Sequence, residues 1–251
     1  IMASEAHIIN SVLVDSKPTK VGWVLRVLLP LGALLALWGY VGPWVDHRVA
    51  GLAILGLDLG EYVKFLPLVR GGTTSLWREG FYLPLFAISL ALSLCTWRPE
   101  LRWPQPSFAW LMIAVQVIGA IVAALNMLPP AWTPQRMLTP EFQQQLAAIL
   151  LCLAAMALGP FLALLPRLIT GLVVLLLSAA AAVLPVVQFL RVLPEIGSLY
   201  NHNLVPGLGM YLMLIGLAML VALGGLLAFA RPAAAPVQQG SARHNRKELA
   251  A

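Results

Sequence analysis

The sequence predicts an all-α, polytopic integral membrane bundle of about six transmembrane helices, with an outer-face cap that includes an amphipathic interfacial helix. Three observations carry this. Of the 251 residues, 60% are hydrophobic and only 10% charged, whereas soluble domains hold roughly 25% charged residues. The apolar residues fall into continuous runs close to the ~20 needed to cross roughly 30 Å of hydrocarbon. The runs lack the alternation of barrel strands, and an open sheet would leave backbone groups unpaired in lipid.

Six runs have the required length and composition: 21–41, 81–97, 108–128, 146–165, 168–190 and 208–230. They divide the chain into a cytoplasmic segment 1–20, a six-span domain 21–230, and a basic, Pro/Ala/Gln/Ser-rich tail 231–251 expected to be disordered. Loops 42–80, 129–145 and 191–207 fall on one side and are far longer than those on the other. Turn formers mark the two later loops: Pro129, Pro130, Pro134 and Pro140, then Pro194, Gly197, Pro206 and Gly207. Thr139-Pro140-Glu141 reads as a helix start, with Thr as N-cap and Pro in the first helical position.

The stretch 51–69 is also apolar but carries Asp58, Glu61 and Lys64 near its middle. Central charges cost about 2.5–3.5 kcal/mol each on the insertion scale, so three cost on the order of 8–10 kcal/mol. It is therefore read as a surface helix. The three charges form one stripe, with Leu55, Leu59, Tyr62, Val63 and Leu66 mostly opposite, and Pro67 and Gly71-Gly72 end it.

Charge sets the orientation. The side holding both termini carries ten Lys and Arg against four acids, and the other side six against six. The positive-inside rule makes the terminal side cytoplasmic and the chain a multi-pass protein of the plasma or inner membrane. The net charge of +6 then reflects orientation and contact with anionic lipid, not nucleic acid. Trp23, Trp97 and Trp103 fit the inner aromatic belt, and Trp38, Trp44, Trp77 and Trp132 the outer one. The first span lacks a small-x-small cleavage site and is expected to be retained.

Two histidine motifs face the outer boundary, Asp46-His47 and Asn201-His202-Asn203. With Glu195 they offer a metal or cofactor a set of ligands, but no short ligand spacing supports this. Ordinary loop histidines are the preferred reading, no metal site is predicted, and the cofactor is left open. Asp58, Glu61 and Lys64 are partner- or ion-binding candidates, set against a solvated polar stripe; Lys64 is one turn from Glu61 and able to pair with it. Gln116, Asn126, Ser89 and Ser93 are polar groups inside spans, where bonding to a neighbouring helix is the commoner use. Gly119/Ala123, Ala120/Ala124 and Ala218/Ala222 are small-xxx-small pairs expected at helix contacts. Cys95 and Cys152 lie in apolar runs at different depths and are expected to be unpaired.

No acidic residue falls within a predicted span, and there is no Walker motif. The expected function is a non-enzymatic integral membrane subunit or accessory of a larger assembly, a transport system among the candidates. Its partners are then the bilayer and other membrane chains. The alternatives are a small-solute carrier or channel using a re-entrant 51–69 segment, and a membrane enzyme acting on lipid at the outer face with Asp46, His47 or Glu61 as acid/base.

Overall fold

Among the described residues, five helices are long and apolar enough to cross a membrane, at Gly22–Val41, Arg78–Cys95, Pro106–Leu125, Arg167–Tyr200 and Leu208–Phe229. The computed structural model describes residues 20–47, 52–72, 76–129 and 132–230. The expectations for the segment 1–19, the tail 231–251, Pro130 and the His47 side chain lie outside the described residues. The chain is an all-α polytopic membrane bundle.

The elements are α1 (Lys20–Val41), a hairpin of β1 (Pro43–His47) and β2 (Leu52–Leu55), α2 (Gly56–Tyr62) and α3 (Pro67–Arg70). They are followed by α4 (Leu83–Cys95), α5 (Pro106–Leu125), α6 (Pro134–Met137), α7 (Gln143–Ala157), α8 (Gly159–Leu162), α9 (Arg167–Tyr200) and α10 (Leu208–Phe229). Helix α4 is apolar on every side and is enclosed by α1, α5, α7 and α9, as a helix without a polar face must be. Helix α10 packs between α1 and α9.

Helix contacts at α10 run through glycine. A Cβ on Gly209 would lie 2.6 Å from the Gly42 carbonyl carbon, and one on Gly216 would lie 2.5 Å from the Gly32 oxygen. One on Gly224 would lie 2.8 Å from the Gly171 oxygen. The backbones touch, so dispersion contact rather than side-chain interdigitation holds these crossings. Ala218 and Ala222, expected at a helix contact, are exposed instead. The buried face of α10 is set by Gly209, Met213, Gly216, Leu220 and Gly224. The other pairs are placed as expected: Ala120, Ala123 and Ala124 are buried, and Gly119 approaches Leu92.

The fourth predicted span is a broken one. Helix α7 has 15 residues and α8 only four. Gly159-Pro160 interrupts the run because Pro160 has no N–H to give to the preceding turn. The pass is nonetheless complete. Gln145 Nε2 donates to the Met127 carbonyl at 3.1 Å, and Cys152 sits beside Ser89. Gly159 lies against Trp97, and Arg98 donates to the Leu165 carbonyl at 3.1 Å. Residues 143–165 therefore run antiparallel along the whole of α4. The six passes bring Lys20 and Phe229 to the same end of the bundle, here called the far end, opposite the cap.

Helix α9 departs most from expectation. Its 34 residues span about 51 Å at 1.5 Å per residue, against roughly 30 Å of hydrocarbon. Pro194 and Gly197, read above as turn residues, lie inside it. Phe189, Val192, Leu193 and Ile196 make a buried stripe through this stretch, and that packing offsets the lost hydrogen bond at Pro194. The helix ends at Asn201, whose φ of 53° is left-handed. The His202 N–H then donates to the Gly197 carbonyl at 3.0 Å, and Asn201 N–H to Ser198 at 3.3 Å, a Schellman closure.

The extension of α9 supports the cap, together with the hairpin, α2, α3 and the return loop 201–207. The hairpin was not expected, since 52–55 reads equally as the start of an amphipathic helix. Its strands pair Asp46 with Ala53 and Val45 with Ile54, and the register slips between Pro43 and Val45. This bulge falls at Trp44. Trp44 is 0% exposed, so it belongs to the cap core and not to the outer belt. Its ring meets Phe189 edge-on at 5.3 Å and Tyr40 at 6.3 Å. The aromatic packing explains why a bulge is tolerated there. Pro67, expected to end the surface helix, opens α3 in its first turn.

Candidate functional site

The candidate site lies where the cap meets the bundle. Helix α2 is the sequence-predicted amphipathic element, shortened to seven residues. Leu59 is 0% exposed and Val63 and Leu66 are buried under it, while Asp58 is exposed. Gly60 lets α2 approach the Tyr82 ring, where a Cβ would lie 2.8 Å away. Asp58, Glu61 and Lys64 thus take the outward positions their spacing predicts.

Glu61 on α2 and Lys64 in the 3-10 turn that follows it are joined at 2.7 Å, the one-turn pair expected from the sequence. Lys64 also reaches Glu141 at 2.7 Å, across 77 residues of chain. Glu141 accepts from Arg78 Nη1 at 2.9 Å, its carbonyl accepts from Arg78 Nη2 at 2.6 Å, and Arg78 pairs with Glu79 at 3.1 Å. The Phe142 ring sits under both cations, 5.3 Å from Lys64 and 5.4 Å from Arg78. One carboxylate thus ties the turn after α2 to the turn before α4 and the turn before α7. The Lys64 hydrogen bond, followed by Arg78, holds the Glu141 carboxyl below the ordinary value. Thr139 caps the turn 140–142 by position, but its hydroxyl donates back to the Arg136 carbonyl at 2.6 Å.

Beside this network is a cavity of about 310 Å³ lined by Asp58, Glu61, Tyr82, Asn126 and Trp132 among others. The Tyr82 hydroxyl donates to Glu61 at 3.5 Å. Trp132 is 52% exposed at its rim. Two carboxylates, an amide and an indole make a notch suited to a cationic group. Burial and a hydrogen bond with Tyr200 push the Tyr62 phenol up to about 12, which records how closely α2 is held to the end of α9.

The backbones beside the two histidine motifs come together. A bridge pairs Val45 with Pro206, and the Gly207 N–H donates to the Trp44 carbonyl at 2.7 Å. Asp46 and His202 are exposed, and Glu195 is half-buried on α9. Among the described residues, no three His, Cys, Asp or Glu side chains are placed to hold a metal ion. Cys95 and Cys152 are free and buried.

Sequence reasoning missed the partners. Glu141, Arg78 and Phe142 carried only the general signal of charge and aromaticity next to a span. At the far end, Arg98 is 2% exposed and donates to Thr170 Oγ1 at 2.9 Å, while Glu100 pairs with Arg167 at 3.4 Å. This clasp joins the α4 exit to the α9 start. Comparison of the chain with protein-family models, curated proteins and solved structures found no match.

Proposed function

We propose that the chain is a non-enzymatic subunit of a larger membrane assembly, and that a basic group of a partner membrane chain seats in the notch between Asp58, Glu61 and Trp132. The observation that carries this is a built acidic notch on a cap that is clamped to the bundle. The Lys64–Glu141–Arg78 network commits the neighbouring charges to one another and leaves Asp58 outward. A partly apolar notch with two carboxylates and an exposed indole at its rim suits contact with a cationic group of a partner.

The cap faces outward in this reading and both chain ends are cytoplasmic. Charge supports it: among the described residues the far end holds Lys20, Arg26, Arg98, Arg102 and Arg167 against Glu100 alone, whereas the cap holds five bases against six acids. A photoreactive residue placed at Leu57, which lines the notch, is expected to crosslink a membrane chain in intact cells. Asp58→Lys should abolish that adduct while the chain still purifies as a folded, monodisperse species. Solute flux by the isolated chain in liposomes, with no adduct at Leu57, would overturn the subunit reading.

A further inference from the structure

Among the described residues, the Ser178 hydroxyl and the Gln116 amide lie deep within the passes without a hydrogen-bond partner, and of the two Gln116 lines a cavity. Ser89 Oγ donates to the Ala120 carbonyl at 2.9 Å, and Asn126 Nδ2 to Val122 at 2.8 Å. Gln116 is 7% exposed, and its amide has no hydrogen-bond partner among the described residues. It lines a small crevice between α1, α4 and α5, about 80 Å³ in volume, whose other walls include Ala33, Leu34, Ile88 and Leu92. An unpaired amide in hydrocarbon is costly, and a native structure retains one where something else meets it.

The surroundings restrict what that is. Gln116 stands ten residues into α5, about 15 Å along the helix and therefore at mid-depth for roughly 30 Å of hydrocarbon. A phospholipid headgroup stays at the interface and cannot reach this level, and a charged ligand would be expelled from it. The crevice opens between the exposed Leu34 and Val115, toward the bilayer. Through Leu34 and Leu37 it continues into a second apolar groove, about 410 Å³, that follows α1 past Val41 to Gly42 and Pro43. The groove suits an elongated apolar body, and the amide suits a single polar group at its end.

We propose that this crevice binds an uncharged, lipid-soluble molecule through one carbonyl or hydroxyl group hydrogen-bonded to the Gln116 amide, with its apolar body along α1. The site is independent of the cap notch.

The test uses the full chain in phospholipid nanodiscs and three diazirine probes of equal length: a long-chain alcohol, the matching ketone and the matching alkane. The alcohol or the ketone should label the peptides around Leu34 and Val115 roughly tenfold more than the alkane, the factor one hydrogen bond makes in a binding constant. Whichever is preferred identifies the ligand group the amide selects. Gln116→Leu should bring polar-probe labelling down to the alkane level. Leu34→Phe, at the lipid-facing mouth, should lower labelling by the preferred probe with Gln116 intact, and it decides the matter if Gln116→Leu fails to fold. Equal labelling by all three probes in the native chain overturns the proposal. So does a polar preference that survives Gln116→Leu, or undiminished labelling by the preferred probe in Leu34→Phe.

Discussion

Replacing Gly216 by alanine tests the account of how α10 is held. The added Cβ would meet the Gly32 carbonyl oxygen at 2.5 Å and Ala36 Cα at 2.7 Å, roughly 1 Å inside ordinary contact. These are backbone atoms, so no side chain can swing away; the helices must part. A gap of about 0.5–1 Å forfeits a quarter to a half of each contact well along the crossing. Overpacking of this kind costs about 1–3 kcal/mol. The unfolding midpoint, followed by size-exclusion of heated samples in mild detergent, should fall by roughly 5 °C. Ala218→Leu is the control: Ala218 is exposed, and the change should stay within about 0.5 kcal/mol. A tolerated Gly216→Ala combined with a damaging Ala218→Leu would refute the reasoning, because α10 would then present its other face to the bundle.

Three further outcomes are expected. Leu59→Asp puts an unpaired charge where the side chain is 0% exposed and should undock the cap, read as rapid hydrogen exchange across 56–70, whereas Asp58→Asn should leave exchange unchanged. The Glu141 carboxyl is held low by Lys64 and Arg78, so its contribution is complete above the ordinary carboxylate range and is lost as pH falls through and below it. Exchange of 56–70 should accelerate in the native chain below about pH 4, and Glu141→Gln should show the faster exchange already at neutral pH, with a weaker acid step. Asn201→Gly should preserve or raise stability, because φ of 53° is strained for a side chain, while Asn201→Val should lower the thermal midpoint.

The candidate site was half legible. The three-residue spacing of Asp58, Glu61 and Lys64 placed their stripe and the buried Leu59 correctly, since a helix face is a local property of spacing. The spacing said nothing of Glu141 and Arg78, which reach the same point from other passes. Nor did it show that Trp44, one of several aromatics near a span end, is the one turned inward by a bulge.

By itself the sequence determined that this chain is a multi-pass membrane protein, because transfer from water to hydrocarbon adds residue by residue and needs no knowledge of neighbours. The tertiary structure decided everything that depends on a partner surface. It selected the glycine face of α10 over Ala218 and Ala222, because both faces offer small residues and only contact with α1 and α9 distinguishes them. It carried α9 through Pro194, because burial of Val192, Leu193 and Ile196 against the cap outweighs a local preference to stop. It joined Lys64 to Glu141 across 77 residues, because an ion pair forms where the packed passes bring charges within reach, irrespective of their separation along the chain.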